Sequence, residues 1–124
     1  MTIRTPGLEN AHQALAALSS RYVDVDRLPW KPTPFPGIEI KVLMEDSESG
    51  LQTTLTRMAP GAELPMHVHT ELEQSWVLEG RLVDHEGEAT AGGYVWRPKG
   101  SRHMARAPEG CLVLGFFLRP NRFL

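Results

Sequence analysis

From Ile38 to the C-terminus, short apolar segments alternate with turn residues. The segments carry β-branched or aromatic residues, and Gly, Pro or charged residues separate them, which is the pattern of short β-strands. We therefore predict strands over residues 38–45, 51–58, 63–69, 74–79, 81–85, 94–97, 103–105 and 111–118. Turns are expected over residues 47–50, 59–61, 86–93 and 98–102, with a hairpin at Gly80. This pattern predicts an all-β domain, a small closed or two-sheet barrel, because closure removes exposed sheet edges.

The start of the chain has a helical rather than a strand-like pattern. Ala11, Leu15 and Leu18 recur at helical spacing, and Asn10 before them can cap a helix. We therefore predict a short N-terminal helix over residues 10–19.

A proline-rich segment, residues 28–37, follows the predicted helix. Its four prolines lack an amide proton and fix φ, which excludes a helix or a central strand. Trp30 and Phe35 favour an extended arm packed on the domain over a flexible linker. We therefore divide the chain into a helix and arm, residues 1–37, and a barrel, residues 38–124.

Composition narrows the classes of partner. The 124 residues carry a net charge of -2 without a block of Lys or Arg, which argues against nucleic acid or an anionic membrane. Apolar runs such as residues 113–118 are far shorter than the ~20 residues of a membrane-spanning helix. Cys111 is the only cysteine, so it cannot form an internal disulfide, and residues 1–10 hold no apolar leader. We expect a cytoplasmic protein with a small-molecule substrate.

Two histidines on one predicted strand, His67 and His69, are candidate metal ligands. Residues two apart on a strand project from the same face, so both rings can share one ion. Glu71 and Glu73 continue the same parity, and strand alternation alone does not choose between them. With His103 as a third imidazole, such a set suits Fe(II), Mn, Ni or Zn. An HxH pair alone is a weak signal, because histidines on an exposed strand are usually solvated.

The spacing around these histidines forms two motifs. The first, residues 61–80, has the pattern G(x)5HxH(x)3E(x)6G, and the second, residues 92–103, has the pattern G(x)5PxGxxH. Together they resemble the two conserved motifs of the cupin superfamily. The Asn expected at the end of the second motif is replaced by Ala107.

Further segments resemble one cupin subgroup, the ChrR-like cupins. They are VDVDRLPW at residues 23–30, PGIEIKVL at 36–43, WVLEG at 76–80, PKGSRH at 98–103 and EGC at 109–111. Members of this group include the cupin domain of an anti-sigma factor and small non-haem iron dioxygenases that cleave carbon–carbon bonds in β-diketones and related ketones.

The resemblance implies a fold and a ligand set. The fold is a single-domain cupin barrel, a double-stranded β-helix or jelly roll. The implied metal ligands are His67, His69, Glu73 and His103, and the family spacing chooses Glu73 over Glu71. We expect one divalent ion per chain, Fe(II) first and Zn, Ni or Mn as alternatives, with no organic cofactor.

The resemblance also implies an activity, an Fe(II) dioxygenase that acts on a small β-diketone or ketone-type substrate. The alternative is a non-catalytic sensor cupin that binds a metal or ligand. A metal-dependent isomerase ranks third, because the predicted strands offer few acid–base residues to a lumen.

Arg97 is a candidate substrate contact. By strand alternation Val95 and Arg97 face one side of the sheet, and Tyr94 and Trp96 face the other. An inward Arg97 could hold a carboxylate or an enolate, whereas an outward one would be an ordinary surface residue. His12 and His85 lack a motif and are expected at the surface, and no catalytic residue beyond the metal centre is assigned.

Several other residues have structural rather than chemical roles in this interpretation. Positive φ angles are expected at Gly61, Gly80 and Gly100. A core or interface position is expected for Met44, Met58, Trp76, Met104 and Phe116. The arm, with Trp30 and Phe35, and apolar edge segments would offer the surface of a homodimer.

Overall fold

The computed structural model describes residues 2–124, which contain eleven strands, one short helix and one 3-10 turn. Met1, where the predicted segment 1–37 begins, lies outside the described residues. The strands are β1 (Ile3–Arg4), β2 (Lys31–Pro32), β3 (Ile38–Asp46), β4 (Gln52–Met58), β5 (Ala62–Val68), β6 (Glu73–Val83), β7 (Glu88–Thr90), β8 (Tyr94–Arg97), β9 (Arg102–Ala107), β10 (Cys111–Phe117) and β11 (Arg122–Phe123). The helix α1 spans Glu9–Gln13, and the 3-10 turn spans Val25–Arg27.

The strands pair antiparallel in two sheets that curl around one lumen. The first sheet has the order β1-β3-β4-β10-β6-β8, with β2 added beside β3. The second runs β11-β5-β9-β6, and β7 also pairs with β6. The predicted all-β barrel architecture is confirmed.

The strand β6 belongs to both sheets and passes from one to the other at Gly80. Residues 73–80 pair with β8 and β10, and residues 81–83 pair with β7. The predicted hairpin at Gly80 is therefore wrong. Gly80 does have a positive φ, +74°, and a Cβ there would collide with the carbonyl oxygen of Gly110. The glycine permits a close strand crossing, not a chain reversal. The predicted turn over residues 86–93 is also partly wrong, because it contains the strand β7.

The N-terminal helix is shorter than the sequence predicted. It ends at Gln13, its N-cap is Leu8 without a side-chain hydrogen bond, and none of its residues is buried. Leu15 and Leu18 are exposed. A helix this short is not stable on its own, and the apolar stripe finds no surface to pack against.

The proline-rich arm packs on the barrel through both of its aromatic rings. Trp30 lies against Lys41 and Arg57, with the Lys41 Nζ 4.8 Å and the Arg57 guanidinium 4.1 Å from the ring centroid. The Phe35 ring lies 4.7 Å from that of Phe123 near the C-terminus.

The core fills one end of the lumen, and the large outward side chains do not belong to it. Of the residues expected in the core or an interface, Met58 is buried, whereas Trp76, Met104 and Phe116 are exposed. These three side chains lie outside the core, because they alternate with the inward residues of their strands, and an interface position for them stays a prediction. The core residues are Ile38, Met58, Ala62, Val77, Ala107, Cys111 and Val113. Among the described residues, no helix has the length and apolar character needed to cross a membrane.

Candidate metal centre

Three histidines meet inside the lumen at the end opposite the core. His67 is the penultimate residue of β5 and lies beside its register partner His103 on β9, and His69 follows β5 directly. Their exposed fractions are 1%, 2% and 0% in that order. One ring nitrogen from each can be chosen so that all lie within 4.8 Å of one another. These residues are called the histidine group below.

The turn of the second motif holds His69 in place through the backbone. The His69 carbonyl accepts a hydrogen bond from Gly100 N at 2.7 Å, and the His69 N–H donates to Ser101 O at 2.9 Å. Gly100 has a φ of +88° and Gly61 a φ of +82°, as predicted. The turn that leads into β9 thus joins His69 to the strand that carries His103.

Contacts of the outer ring nitrogens with oxygen atoms indicate which nitrogens face the centre. Nδ1 of His67 lies 2.8 Å from the carbonyl oxygen of Pro65, to which only a protonated nitrogen can donate. Nδ1 of His69 lies 2.6 Å from Oε2 of Glu73. In both rings Nε2 is then the unprotonated nitrogen, available as a ligand.

The inner nitrogens are spaced as two ligands of one ion would be. Nε2 of His69 lies 3.1 Å from Nε2 of His103. Where Nδ1 of His103 also carries the ring proton, the two Nε2 lone pairs face each other, an arrangement that a shared cation stabilises. Nitrogen ligands about 2.0–2.1 Å from an ion lie about 3 Å apart. The donor set therefore fits a divalent metal ion.

Burial keeps His67 and His103 in the form that binds metals. Desolvation lowers the pKa of His67. Desolvation, with the nearby Arg97 charge, lowers the pKa of His103 to about 4. A lowered pKa leaves the imidazole neutral at pH 7, and only the neutral ring coordinates a metal.

The structure distinguishes Glu71 from Glu73, between which strand parity could not choose. Glu71 lies toward the surface, 3.2 Å from Lys99 Nζ. Glu73 is buried and accepts a hydrogen bond of 2.9 Å from Ser75 Oγ. Burial raises the pKa of Glu73, but its contacts with His69 and Ser75 outweigh this and hold the pKa below its usual value. Glu73 faces the outer nitrogen of His69, so its place as a direct ligand stays a prediction.

Arg97 points inward and is held by a carboxylate that the sequence pattern did not reveal. Its Nη1 lies 2.7 Å from Oδ2 of Asp84, and both side chains are nearly inaccessible. The same oxygen lies 3.7 Å from Nδ1 of His103, a buried nitrogen without a hydrogen-bond partner. The backbone N–H groups of Glu86 and Gly87 fix Asp84 by donating to its other oxygen. Asp84 lies two residues after Leu82, which faces the lumen. This alternation is the feature of the sequence that could have marked Asp84 as inward.

A small cavity of about 80 Å³ joins these groups. Asn121 near the C-terminus also lines it, and its Oδ1 is buried without a hydrogen-bond partner. No sequence motif marked Asn121. The remaining polar lining comes from Thr54, Thr56 and Ser75, beside His67, Glu73, Arg97 and His103.

The C-terminal strand β11 and the arm lie together behind His67. The strand β11 pairs with the end of β5, placing Phe123 opposite His67 with ring centroids 5.3 Å apart. Phe123 also contacts Phe35 of the arm. His85 is exposed and His12 lies partly buried on α1, so neither belongs to the site.

The family model of the ChrR Cupin-like domain matches residues 18–120. The chain belongs to the ChrR-like cupins. This confirms the resemblance drawn from the motifs. No curated protein sequence matches the chain.

Solved structures with the same fold include enzymes and a regulator. A "putative acetylacetone dioxygenase" from Methylibium petroleiphilum PM1 is 26% identical, with a TM-score of 0.80 over 89% of this chain and 84% of that one. An acetylacetone dioxygenase from Acinetobacter johnsonii is 19% identical, with a TM-score of 0.74 over 89% and 80%. The structure of Rhodobacter sphaeroides SigE with the anti-sigma ChrR matches at 22% identity and a TM-score of 0.64, over 75% and 50%. At under 25% identity the last two show the fold alone.

Proposed function

We propose that the protein is a mononuclear Fe(II) dioxygenase that cleaves a small β-diketone or ketone-type substrate. One observation carries the proposal: ring nitrogens of the histidine group lie within 4.8 Å of one another, and His67 and His103 line a small cavity that Arg97 also lines. The similarity to the Methylibium protein supports the reaction class.

The histidine group would hold the ion. Glu73 would either complete the ligand set or orient His69 through the 2.6 Å contact with Nδ1. A bound divalent ion would supply Lewis acidity toward a substrate oxygen and, as iron, the redox chemistry with O2. The lumen excludes bulk water from these groups, since all three rings are buried.

Arg97 would select the substrate. Its guanidinium uses Nη1 for Asp84, and the residue lines the cavity, where further N–H groups can donate to an oxyanion. An enolisable diketone presents such an oxygen once it loses a proton. Ser75 and Asn121 add polar contacts, and a cavity of about 80 Å³ favours a compact substrate.

Oxygen uptake tests the proposal. Protein loaded with Fe(II) under anaerobic conditions is mixed with acetylacetone in air-saturated buffer, and O2 consumption is followed with an electrode. We expect substrate-dependent uptake, loss of uptake in His69→Ala, and unchanged uptake in His85→Ala, which removes an exposed histidine outside the site.

The same assay separates the enzyme from the sensor alternative. Full iron content without oxygen uptake, for acetylacetone and a series of related enolisable ketones, would contradict the dioxygenase and favour a non-catalytic metal-binding cupin.

A further inference from the structure

A second set of potential metal ligands lies on the side of the His103 ring that faces away from His69. A ring nitrogen of His103 and one carboxylate oxygen from each of Asp84 and Glu86 lie within 4.8 Å of one another. We call these three residues the outer group. It shares only His103 with the histidine group, and Glu86 has no part in the centre described above.

The His103 ring reaches the two groups through different nitrogens. Its Nε2 lies 3.1 Å from Nε2 of His69, and its Nδ1 lies 3.7 Å from Oδ2 of Asp84. His103 is buried, and its Nδ1 has no hydrogen-bond partner. A buried polar atom without a partner is costly and calls for an explanation. A ligand bound by the outer group would supply the missing partner.

The position of the ring proton decides which group His103 can serve. Nε2 of His69 is the unprotonated nitrogen of its ring, because Nδ1 faces the carboxylate of Glu73. When a proton rather than an ion joins the two inner nitrogens, His103 must therefore donate it from Nε2. Nδ1 of His103 then presents a lone pair to Asp84. Two electron-rich atoms face each other in this arrangement, and a cation bound to both would stabilise it.

We propose that the outer group is a second divalent-cation site, which receives the ion before it moves to the histidine group. One imidazole and two carboxylates form a ligand set that suits Mn(II) or Fe(II). A neutral imidazole has one lone pair, so His103 ligates through one nitrogen at a time. The two sites are therefore alternatives, and the chain holds one ion in either case. The proposal rests on the histidine group as the metal centre and not on the dioxygenase reaction.

The outer group lies on the path by which an ion would arrive from solvent. The histidine group is buried, and the cavity beside it measures only about 80 Å³. Asp84 and Glu86 line a separate cavity of about 400 Å³, and Glu86 is exposed. Leu82 and Arg97 line both cavities and so form the wall between them. His103 lines the inner cavity and has its Nδ1 beside Asp84, so its ring connects the two sides.

The charges around the outer group suit a site of modest affinity. Asp84 and Glu86 supply two negative charges, and the Arg97 guanidinium supplies one positive charge 2.7 Å from Oδ2 of Asp84. Glu88 lines the same cavity but is paired with Arg81 at 2.7 Å. The net charge still attracts a cation, whereas Arg97 weakens its binding. An ion held in this way can move on to the three imidazoles.

Transfer of the ion between the two sites needs only a change of tautomer in His103. The ring loses the proton on Nε2 and gains one on Nδ1, while the ion leaves Nδ1 and binds Nε2. No oxidant, reductant or further reactant takes part. The proton on Nδ1 then faces Oδ2 of Asp84. A carboxylate that faces the outer N–H of a ligating histidine is the usual arrangement in metal centres.

Manganese binding tests the outer group apart from the histidine group. A His67→Ala/His69→Ala background removes two of the three inner ligands and leaves the outer group intact. Electron paramagnetic resonance of free Mn²⁺ measures the dissociation constant, and circular dichroism checks the fold. We expect Mn²⁺ to bind, and Glu86→Gln in this background to raise the dissociation constant by more than about 10-fold.

Glu88→Gln is the matched control for Glu86→Gln. It changes the same charge in the same cavity, outside the outer group, and should leave the dissociation constant unchanged. Equal dissociation constants for the two variants would overturn the outer site. A folded background protein that binds no Mn²⁺ at about 1 mM would overturn it as well.

Loading kinetics test the proposal with the histidine group intact, and they decide it if the background protein does not fold. Metal-free protein is mixed rapidly with Co²⁺, and uptake is followed by visible absorption. Glu86→Gln should slow uptake by about 10-fold and leave the final content at the wild-type value, whereas Glu88→Gln should load as fast as the wild type. Equal rates for the two variants would overturn the proposed order of loading. A wild type that binds no Co²⁺ would contradict the metal centre itself.

Discussion

The two ends of the lumen are built from the same strands with opposite chemistry. On β6 the inward residues change from Glu73 and Ser75 to Val77, and on β9 from His103 to Ala105 and then Ala107. The first end, with the histidine group and Arg97, is called the polar end. The other is the apolar end, formed by Ile38, Met58, Ala62, Val77, Ala107, Cys111 and Val113.

The contrast indicates a division of roles between the two ends: the apolar end stabilises the fold and the polar end forms the metal centre. The apolar end gains stability from buried apolar surface, so it holds the barrel together. The polar end buries neutral imidazoles, a carboxylate and an ion pair, which are costly to desolvate and stable only while each is paired. Changes at one end should therefore alter unfolding free energy, and changes at the other should alter metal affinity.

The largest effect on stability is expected at the apolar end. Ile38→Ala removes most of a buried side chain that does not line the cavity and should lower the free energy of unfolding by about 2–5 kcal/mol. Metal stoichiometry per folded chain should stay at the wild-type value. Urea unfolding with metal analysis checks both, and metal loss in folded Ile38→Ala would contradict the division.

At the polar end the largest effect is expected on metal affinity. His67→Ala should weaken binding of Zn²⁺ by more than about 100-fold, because losing an outer-shell partner alone costs about 10–100-fold. Calorimetric titration measures this, with His12→Ala on α1 as the matched control. Equal affinities of the two variants would exclude His67 from the centre.

Asp84 should act on the centre from behind His103. Asp84→Asn removes the charge that pairs with buried Arg97 and faces His103 Nδ1. The uncompensated guanidinium would then repel a bound cation. We expect metal affinity to fall by about 10–100-fold in the same titration. Asp24→Asn, in an exposed ion pair with Arg27, should leave the affinity unchanged, and identical behaviour of the two variants would remove Asp84 from the account.

Acid should destabilise the metal-free protein through the polar end. The pKa of His103 is lowered to about 4 in the folded chain, whereas an unfolded histidine titrates near its ordinary value of about 6.5. Between these values the unfolded state binds more protons, so stability present above pH ~6.5 is lost as the pH falls toward ~4. Urea midpoints across this range measure the loss, which His103→Gln should reduce.

Glu73→Gln is expected to have the smallest effect on metal content. Three imidazoles suffice to hold a divalent ion, so the metal should stay bound while turnover, or its pH dependence, changes. Glu71→Gln, at the surface carboxylate beside Lys99, is the control. If the two variants matched the wild type in metal content, stability and oxygen uptake, Glu73 would have no role in the site.

Spacing along the sequence could predict the histidines because local parity determines their direction. His67 and His69 lie two residues apart, and the second motif brings His103 to the neighbouring strand. Parity with Leu82 could place Asp84 inward, but its contact with Arg97 could not be found this way, since it depends on how β6 crosses between the sheets at Gly80. A glycine pattern indicates a positive φ but does not distinguish a turn from a crossing.

Packing partners were the other feature that sequence could not supply. The stripe of Leu15 and Leu18 predicted a helix, but periodicity does not tell whether a surface exists to cover it. Trp76 and Phe116 were expected in the core or an interface because they are large and apolar. Their neighbours Ser75 and Gly115 occupy the inward positions instead, and strand alternation then turns Trp76 and Phe116 outward.

The central claim is that the histidine group binds one divalent ion. Elemental analysis after anaerobic Fe(II) loading and desalting tests it most directly, with wild type, His103→Ala and His85→Ala treated alike. We predict one iron per chain in the wild type and in His85→Ala, and less than about a tenth of that in His103→Ala. Equal iron in all three proteins would contradict the claim.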